Sequence, residues 1–175
     1  MPYSRYKNTW KQLDLMSEIK KLINKLKEEV LLLDGAMGTM IQKEKLTEQD
    51  FRGQRFADSK INLQGNNDIL NITNKELIYN IHRLYLESGA DIIETNTFNS
   101  TQISQADFNC QEFSGELNFE GGIIARRAVD DYLKKNPKEN KYVAGVLGPT
   151  NRTCSMSPDV NDPSFRNVGF DDLLK

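Results

Sequence analysis

Three short segments of the sequence gather polar and ionisable residues directly after apolar runs. Asp34-Gly-Ala-Met-Gly-Thr39 follows the run at 30–33, Glu94-Thr-Asn-Thr-Phe98 follows 90–93, and Gly148-Pro-Thr-Asn-Arg-Thr153 follows 142–147. In the first, Gly35 and Gly38 permit backbone angles that aim successive amides at one concavity, a nest for a carboxylate or phosphate. Asp34 beside them offers a carboxylate that can grip an ammonium group. An anion site next to a cation-binding carboxylate suits a free amino acid. A tight strand-to-helix turn, with Asp34 capping the next helix, accounts for the same residues equally well, because a two-glycine turn is a weak motif.

The second segment ends a strand, so its side chains alternate: Glu94 and Asn96 share one side, Thr95 and Thr97 the other. The hydroxyls of the two threonines are expected to tie neighbouring strand ends together. Asn151 and Arg152 are expected to anchor their loop by polar contacts, with recognition of a polar substrate group the second possibility. His82, the one histidine, falls in mid-helix and reads as a surface or boundary residue rather than a catalytic base. Cys110 in a polar loop and Cys154 past the third apolar run give no zinc-ligand spacing. No Gly-x-Gly-x-x-Gly follows any strand and no Walker loop is present, so nucleotide binding lacks support.

The elements that must position these segments alternate along the chain. Residues 17–29 place Ile19, Leu22, Ile23 and Leu26 at helical spacing among lysines and glutamates. The run at 30–33, stopped by Asp34-Gly35, reads as a buried parallel strand, or else as the last turn of that helix. Residues 42–72 are mostly polar, with apolar clusters around Phe51 and Ile69 and little regular pattern. Thr73-Asn-Lys-Glu76 matches a capping box, opening a helix whose apolar face is Leu77, Ile78, Ile81, Leu84 and Tyr85, with Gly89 as its stop. A second strand covers 90–95 and a short helical stretch follows. A helix spans 116–135, weakened or kinked by Gly121-Gly122. A third strand covers 142–147, a loop 151–169, and 170–174 begin a further helix. Strands alternating with helices imply right-handed βαβ units and a parallel sheet whose carboxyl-terminal edge gathers all three polar segments. Three strands fit either part of a closed barrel or an open doubly wound sheet.

The 175 residues carry 23 Lys+Arg against 25 Asp+Glu, a net charge of -2 that gives no reason to expect nucleic acid or anionic lipid as a partner. The apolar run at 30–33 is far short of the roughly 20 residues that a membrane helix needs. Residues 1–12 lack an apolar signal region. Two isolated cysteines fit a reducing cytoplasm.

Longer blocks carry a resemblance. Leu32-Leu-Asp-Gly-Ala-Met-Gly-Thr-Met-Ile-Gln42, Asp50-Phe-Arg-Gly-Gln-Arg-Phe56, Gly65-Asn-Asn-Asp68, Gly89-Ala-Asp-Ile-Ile-Glu-Thr-Asn-Thr-Phe-Asn-Ser-Thr101, Val143-Ala-Gly-Val-Leu-Gly-Pro-Thr-Asn-Arg-Thr153 and Ser157-Pro-Asp-Val-Asn-Asp-Pro163 resemble, in this order, the start of the amino-terminal homocysteine-binding domain of cobalamin-dependent methionine synthases. The resemblance implies an α/β fold: an incomplete (βα)8 TIM barrel, its first three βα units plus an amino-terminal helix. Residues 1–16 would be a polar extension and 17–175 the amino-terminal part of the barrel. In the family, methylcobalamin recharged by 5-methyltetrahydrofolate passes its methyl group to homocysteine, whose thiol is bound to zinc held by three late cysteines, and methionine results. The resemblance makes Asp34 and Gly35 homocysteine-binding. It adds Gly38, Thr39, Asn96, Thr97, Phe98 and Asn99 at the same mouth. Neither Cys110 nor Cys154 falls at a ligand position, so this stretch alone is expected to bind neither zinc nor cobalamin and to be inactive. The alternative is a non-catalytic module that binds homocysteine or associates with itself through an open sheet edge.

Overall fold

The computed structural model describes residues 15–173. They fall into two compact units, one within Met1–Leu31 and the other within Leu32–Lys175. The described part of the first is a helix, α1 (Leu15–Glu28), that starts two residues before its expected position. Lys25 and Lys27 in its last turn suit the negative end of the helix dipole, and Lys25 pairs with Glu29 at 3.5 Å.

The second unit holds, in order, α2 (Met37–Lys43), α3 (Glu48–Arg52), α4 (Leu70–Thr73), α5 (Lys75–Glu87), β1 (Ile92–Glu94), α6 (Gln102–Gln105), α7 (Ser114–Lys135), β2 (Tyr142–Ala144) and α8 (Phe170–Leu173). Single 3-10 turns lie at Asn67–Ile69, Ala106–Phe108 and Gln111–Phe113. The unit is thus mixed α/β and mostly helical. β1 and β2 pair in parallel, Ile93 opposite Val143. The run at 30–33 does not become a buried strand. It contributes one parallel bridge, Leu33 to Ile92, and Leu32 and Leu33 stay 56% and 54% exposed. Its backbone meets β1 on one side only, through Ile92 N–H to the Leu32 carbonyl (3.1 Å) and Asp34 N–H to the Ile92 carbonyl (2.9 Å). A strand is buried only when both its faces are covered.

Asp91 fastens the amino-terminal end of this small sheet. Its carboxylate accepts from the Leu32 amide at 3.0 Å and pairs with Lys141 Nζ at 3.3 Å, so one side chain joins all three extended segments. Lys141 is buried, holds Glu139 as well, and lies over the Tyr132 ring.

The capping box expected at Thr73 is not formed. Thr73 is already the last residue of α4, and its hydroxyl turns back to donate to the Ile69 carbonyl. Asn74 caps α5 instead, its side chain accepting from the Leu77 amide at 3.3 Å. Gly89 ends the helix as expected, at φ +103°. Its amide reaches the Leu86 carbonyl and the Ala90 amide the Tyr85 carbonyl, the paired bonds of a Schellman turn.

Residues 42–72 carry more structure than their polarity suggests. Thr47 and Asp50 form a capping box on α3. From α3, Glu48 accepts from the Leu63 and Gln64 amides, while Arg52 donates to the Ala57, Ser59 and Ile61 carbonyls. Two charged side chains one turn apart therefore hold a whole loop.

The core has two parts. Ile41, Phe51, Phe56, Leu63, Ile69, Leu70, Ile78, Ile81, Cys110, Leu117 and Ile124 form one, and Leu86, Ala90, Ile93, Ala125, Ala128 and Val129 the other. Cys110 does lie in the loop between two 3-10 turns, but it turns into the core and is 3% exposed. His82 is fully buried on α5, contrary to its expected surface position. α7 runs unbroken through Gly121 and Gly122. No helix of the described residues is long and apolar enough to cross a membrane.

Candidate functional site

The three polar segments meet at the carboxyl-terminal edge of the sheet, as a parallel sheet requires. The first two line an open cleft of about 450 Å³, whose wall includes Asp34, Gly35 and Gly38 from the first segment, Glu94, Asn96 and Phe98 from the second with Asn99 just beyond it, and Val146 from the run after β2, while the third segment, 148–153, contributes no lining residue. Asn67 and Asp68 complete it from the turn before α4. The lining carries three carboxylates, Asp34, Asp68 and Glu94, and no Lys, Arg or His. It favours a cationic group.

Asp34 sits where the backbone leaves its bridge with β1. One carboxylate oxygen, Oδ2, accepts from the Glu94 amide at 3.1 Å, while Oδ1 is buried and has no hydrogen-bond partner. Burial pushes the Asp34 carboxyl up to about 6; the Glu94 amide pulls it down, and the Glu94 charge raises it further.

The two glycines beside Asp34 act differently from the nest expected of them. Neither has left-handed backbone, and Gly38 lies inside α2. Gly35 is closely approached: a Cβ there would stand 3.1 Å from the Tyr85 hydroxyl and 3.2 Å from its ring, so the Tyr85 side chain would have to give by a few tenths of an ångström. That hydroxyl donates to the Ala36 carbonyl at 3.3 Å, so Tyr85 steadies the turn after Asp34. α2 has no side-chain cap at Ala36.

Thr39 and Thr97 are not brought to the cleft. Thr39 is exposed on α2, one position beyond the residues that face inward. Thr97 is buried: its hydroxyl bonds Thr95 Oγ1 at 2.7 Å and donates to the Val146 carbonyl, and the Val146 amide donates to Thr95 Oγ1. The two threonines tie the ends of β1 and β2 together, as their alternation predicts. Asn151 and Arg152 likewise anchor their loop, both to Asp107.

Sequence reasoning missed the segment from Asn66 to Asn71. Its polar side chains are buried and spent on the loop after β1. Asn66 and Gln105 exchange amide bonds, and Gln105 also donates to the Asn99 carbonyl. Asn71 donates to the Asn96 carbonyl at 2.7 Å, and Asn96 returns a bond to Asn71 Oδ1 while holding the Asn67 carbonyl. Asp68, 2% exposed, accepts from the Asn99 amide and the Ser100 hydroxyl. Burial raises its carboxyl above the ordinary range, against the pull of those two donors. The signal was Gly65-Asn-Asn-Asp68 itself: four consecutive poor helix formers between apolar clusters.

Among the described residues, no three His, Cys, Asp or Glu side chains are arranged to hold a metal ion. Both cysteines are free, Cys110 in the core and Cys154 in the loop after β2. These residues do not fit a zinc centre.

A family model described as homocysteine S-methyltransferase matches residues 31–175. Among solved structures, the metallated form of the homocysteine methyltransferase MmuM from Escherichia coli is 28% identical at a TM-score of 0.54, over 71% of this chain and 40% of that one. The oxidized form of the same enzyme gives 28% and 0.55, over 71% and 39%. Its apo form gives 27% and 0.50, over 74% and 41%. The chain spans about two fifths of the length of the structures it matches.

Proposed function

The chain belongs to the homocysteine S-methyltransferase family, and from that premise we propose that its cleft holds the amino-acid end of homocysteine. The observation that carries this reading is Asp34, a carboxylate at the strand tip with one oxygen engaged and the other enclosed without a partner. A substrate ammonium supplies the missing donor and the opposing charge. Gly35, Gly38, Asn96, Phe98 and Asn99 border the same space and are assigned to the substrate with it. Thr39 and Thr97 are not.

We further propose that the sequence is the amino-terminal part of a methionine synthase barrel, comprising the first three βα units. In such an enzyme, zinc to activate the homocysteine thiol, and methylcobalamin with 5-methyltetrahydrofolate to supply the methyl group, would have to be held by residues other than those described here. What this chain's residues do is narrower. Asp34 orients the substrate by its ammonium group, and the glycine at 35 lets Tyr85 close against the turn that carries it. The sulfur-activating ligands are not among the described residues, so the chain alone is expected to hold substrate without turning it over.

Titration calorimetry with L-homocysteine tests the binding reading. Wild type is expected to bind, and Asp34→Asn to bind at least about tenfold more weakly, the scale of a lost charge-assisted hydrogen bond. Absence of heat with wild type, or equal affinities, refutes it. Separately, incubating the chain with zinc, homocysteine and methylcobalamin is expected to yield no methionine above background. Methionine formation would contradict the assignment of catalysis to other parts of the enzyme.

A further inference from the structure

We propose that Asp68 is a positioning residue for this cleft: its buried carboxylate fixes the backbone of Asn99 and the hydroxyl of Ser100 and so sets the rim that Phe98 and Asn99 present to the substrate. The inference rests on the homocysteine reading above and adds to it a residue that is not itself assigned to touch the ligand.

The geometry is a clamp. Asp68 Oδ1 takes the Asn99 amide at 2.9 Å and the Ser100 hydroxyl at 2.7 Å. From the far side of the same residue, the Asn99 carbonyl accepts from Gln105 Nε2 at 3.0 Å. The preceding carbonyl, of Phe98, accepts from the Gly148 amide at 3.2 Å, and a Cβ at Gly148 would overlap it. Phe98 and Asn99 are thereby held at the backbone and Ser100 at its hydroxyl, while the side chains of Phe98 and Asn99 remain exposed on the cleft.

Burying a carboxylate is unfavourable unless its hydrogen bonds are made. Among the described residues no ion pair involves Asp68. Its burial is compensated by the loop's own donors, so placing the loop elsewhere would strand the charge. This compensation also separates Asp68 from Asp34: both carboxylates line the cleft, but one is satisfied within the protein and the other is not.

The test compares the full chain as wild type, Asp68→Ala, Asp68→Asn and Ser100→Ala, in two measurements. Amide hydrogen exchange at Asn99 reads the clamp in the free protein, and calorimetry with L-homocysteine reads its consequence. Asp68→Ala is expected to accelerate Asn99 exchange and weaken binding, each by about tenfold, and Ser100→Ala by about threefold. Asp68→Asn keeps an acceptor of the same shape, so it is expected to stay within about threefold of wild type in both. Unchanged exchange and affinity in Asp68→Ala overturn the proposal. Asp68→Asn losing as much affinity as Asp68→Ala also overturns it, because the charge would then be contacting the ligand directly. If Asp68→Ala does not fold, Ser100→Ala decides: no effect on Asn99 exchange sinks the clamp. A wild type that gives no heat refutes the homocysteine reading, whereas a wild type that binds no better than Asp68→Ala refutes only the role of Asp68.

Discussion

Half-buried Asp34 and fully buried His82 are titratable groups with enclosed, unpaired polar atoms, and burial moves them in opposite senses because it disfavours whichever form is charged. For Asp34 the proposed substrate ammonium would offset that cost. For His82 no contact offsets it: both ring nitrogens lack partners, and burial holds the imidazole down to about 4. The unfolded chain takes up a proton at His82 near the ordinary value of about 6.5, so between about 6.5 and 4 the unfolded state binds more protons than the folded one. Stability contributed at this position is therefore intact above about pH 6.5 and falls as the solution is acidified toward pH 4, by about 3 kcal/mol over the full interval. Asp34 works the other way, since its folded value of about 6 lies above the unfolded one and acidification through that range favours the fold. The difference between wild type and His82→Leu isolates the histidine. In urea melts the variant is expected to be at least as stable at pH 7.5, with an advantage that widens toward pH 4.5. A constant gap across that range contradicts the assignment.

At the level of elements, α7 shows how a helix can carry residues that weaken it. Gly121 faces the loop after β1, and a Cβ there would lie 2.6 Å from Thr97 Cγ2 and 2.9 Å from Asn71 Nδ2. An added methyl has nothing to meet within 4 Å at Gly122. Gly121→Ala gains about 1 kcal/mol in helix propensity but incurs about 1–3 kcal/mol of overpacking, so a net loss of roughly 1 kcal/mol is expected. Gly122→Ala is expected to gain about 0.5–1 kcal/mol. Equal shifts of the urea midpoint in the two variants would show that the close approach at Gly121 has no energetic consequence. Composition alone reads the pair as a defect, because the contact belongs to residues 24 and 50 positions away. The same limit explains what the sequence yields elsewhere. α5, α7 and β1 were legible because each repeats its pattern over enough residues, or ends at a glycine that only a turn demands. α3 was not, being five residues long and held by Glu48 and Arg52 through bonds to a distant loop. His82 had a readable signal that was passed over: it stands four residues from both Ile78 and Leu86, and the buried face is Ile78, Ile81, His82 and Leu86, while Leu84 is 42% exposed. In the site, Asp34 was legible because a carboxylate ending an apolar run is conspicuous. Asp68 was not, since its partners lie 31 and 32 residues ahead.

At the scale of the whole molecule, the sheet of the second unit is closed at neither side among the described residues. β1 has a neighbour on each flank, but β2 pairs only with β1, and the segment at Leu33 meets only Ile92. Each outer flank leaves backbone donors and acceptors facing outward, which is the template on which a second strand pairs. Apolar side chains accompany both flanks: Leu32 and Leu33 on one, and Leu147, 84% exposed, just beyond the other. Charge does not keep copies apart, since the net value is only -2. Self-association through these flanks is therefore expected of the chain in isolation. Size-exclusion chromatography with light scattering should show the mass rising with concentration over about two decades, as mass action requires. Replacing Leu33 and Leu147 by lysine places charge beside both flanks, a device natural edge strands use against pairing, and should return the mass toward that of one chain. The cleft offers a control within the same experiment. The proposed homocysteine site at Asp34 lies at the carboxyl ends of the strands rather than along their flanks, so homocysteine should leave the association unchanged. A monomer at every concentration would mean that the outward flanks are protected in solution, and the proposal of pairing along them would fall.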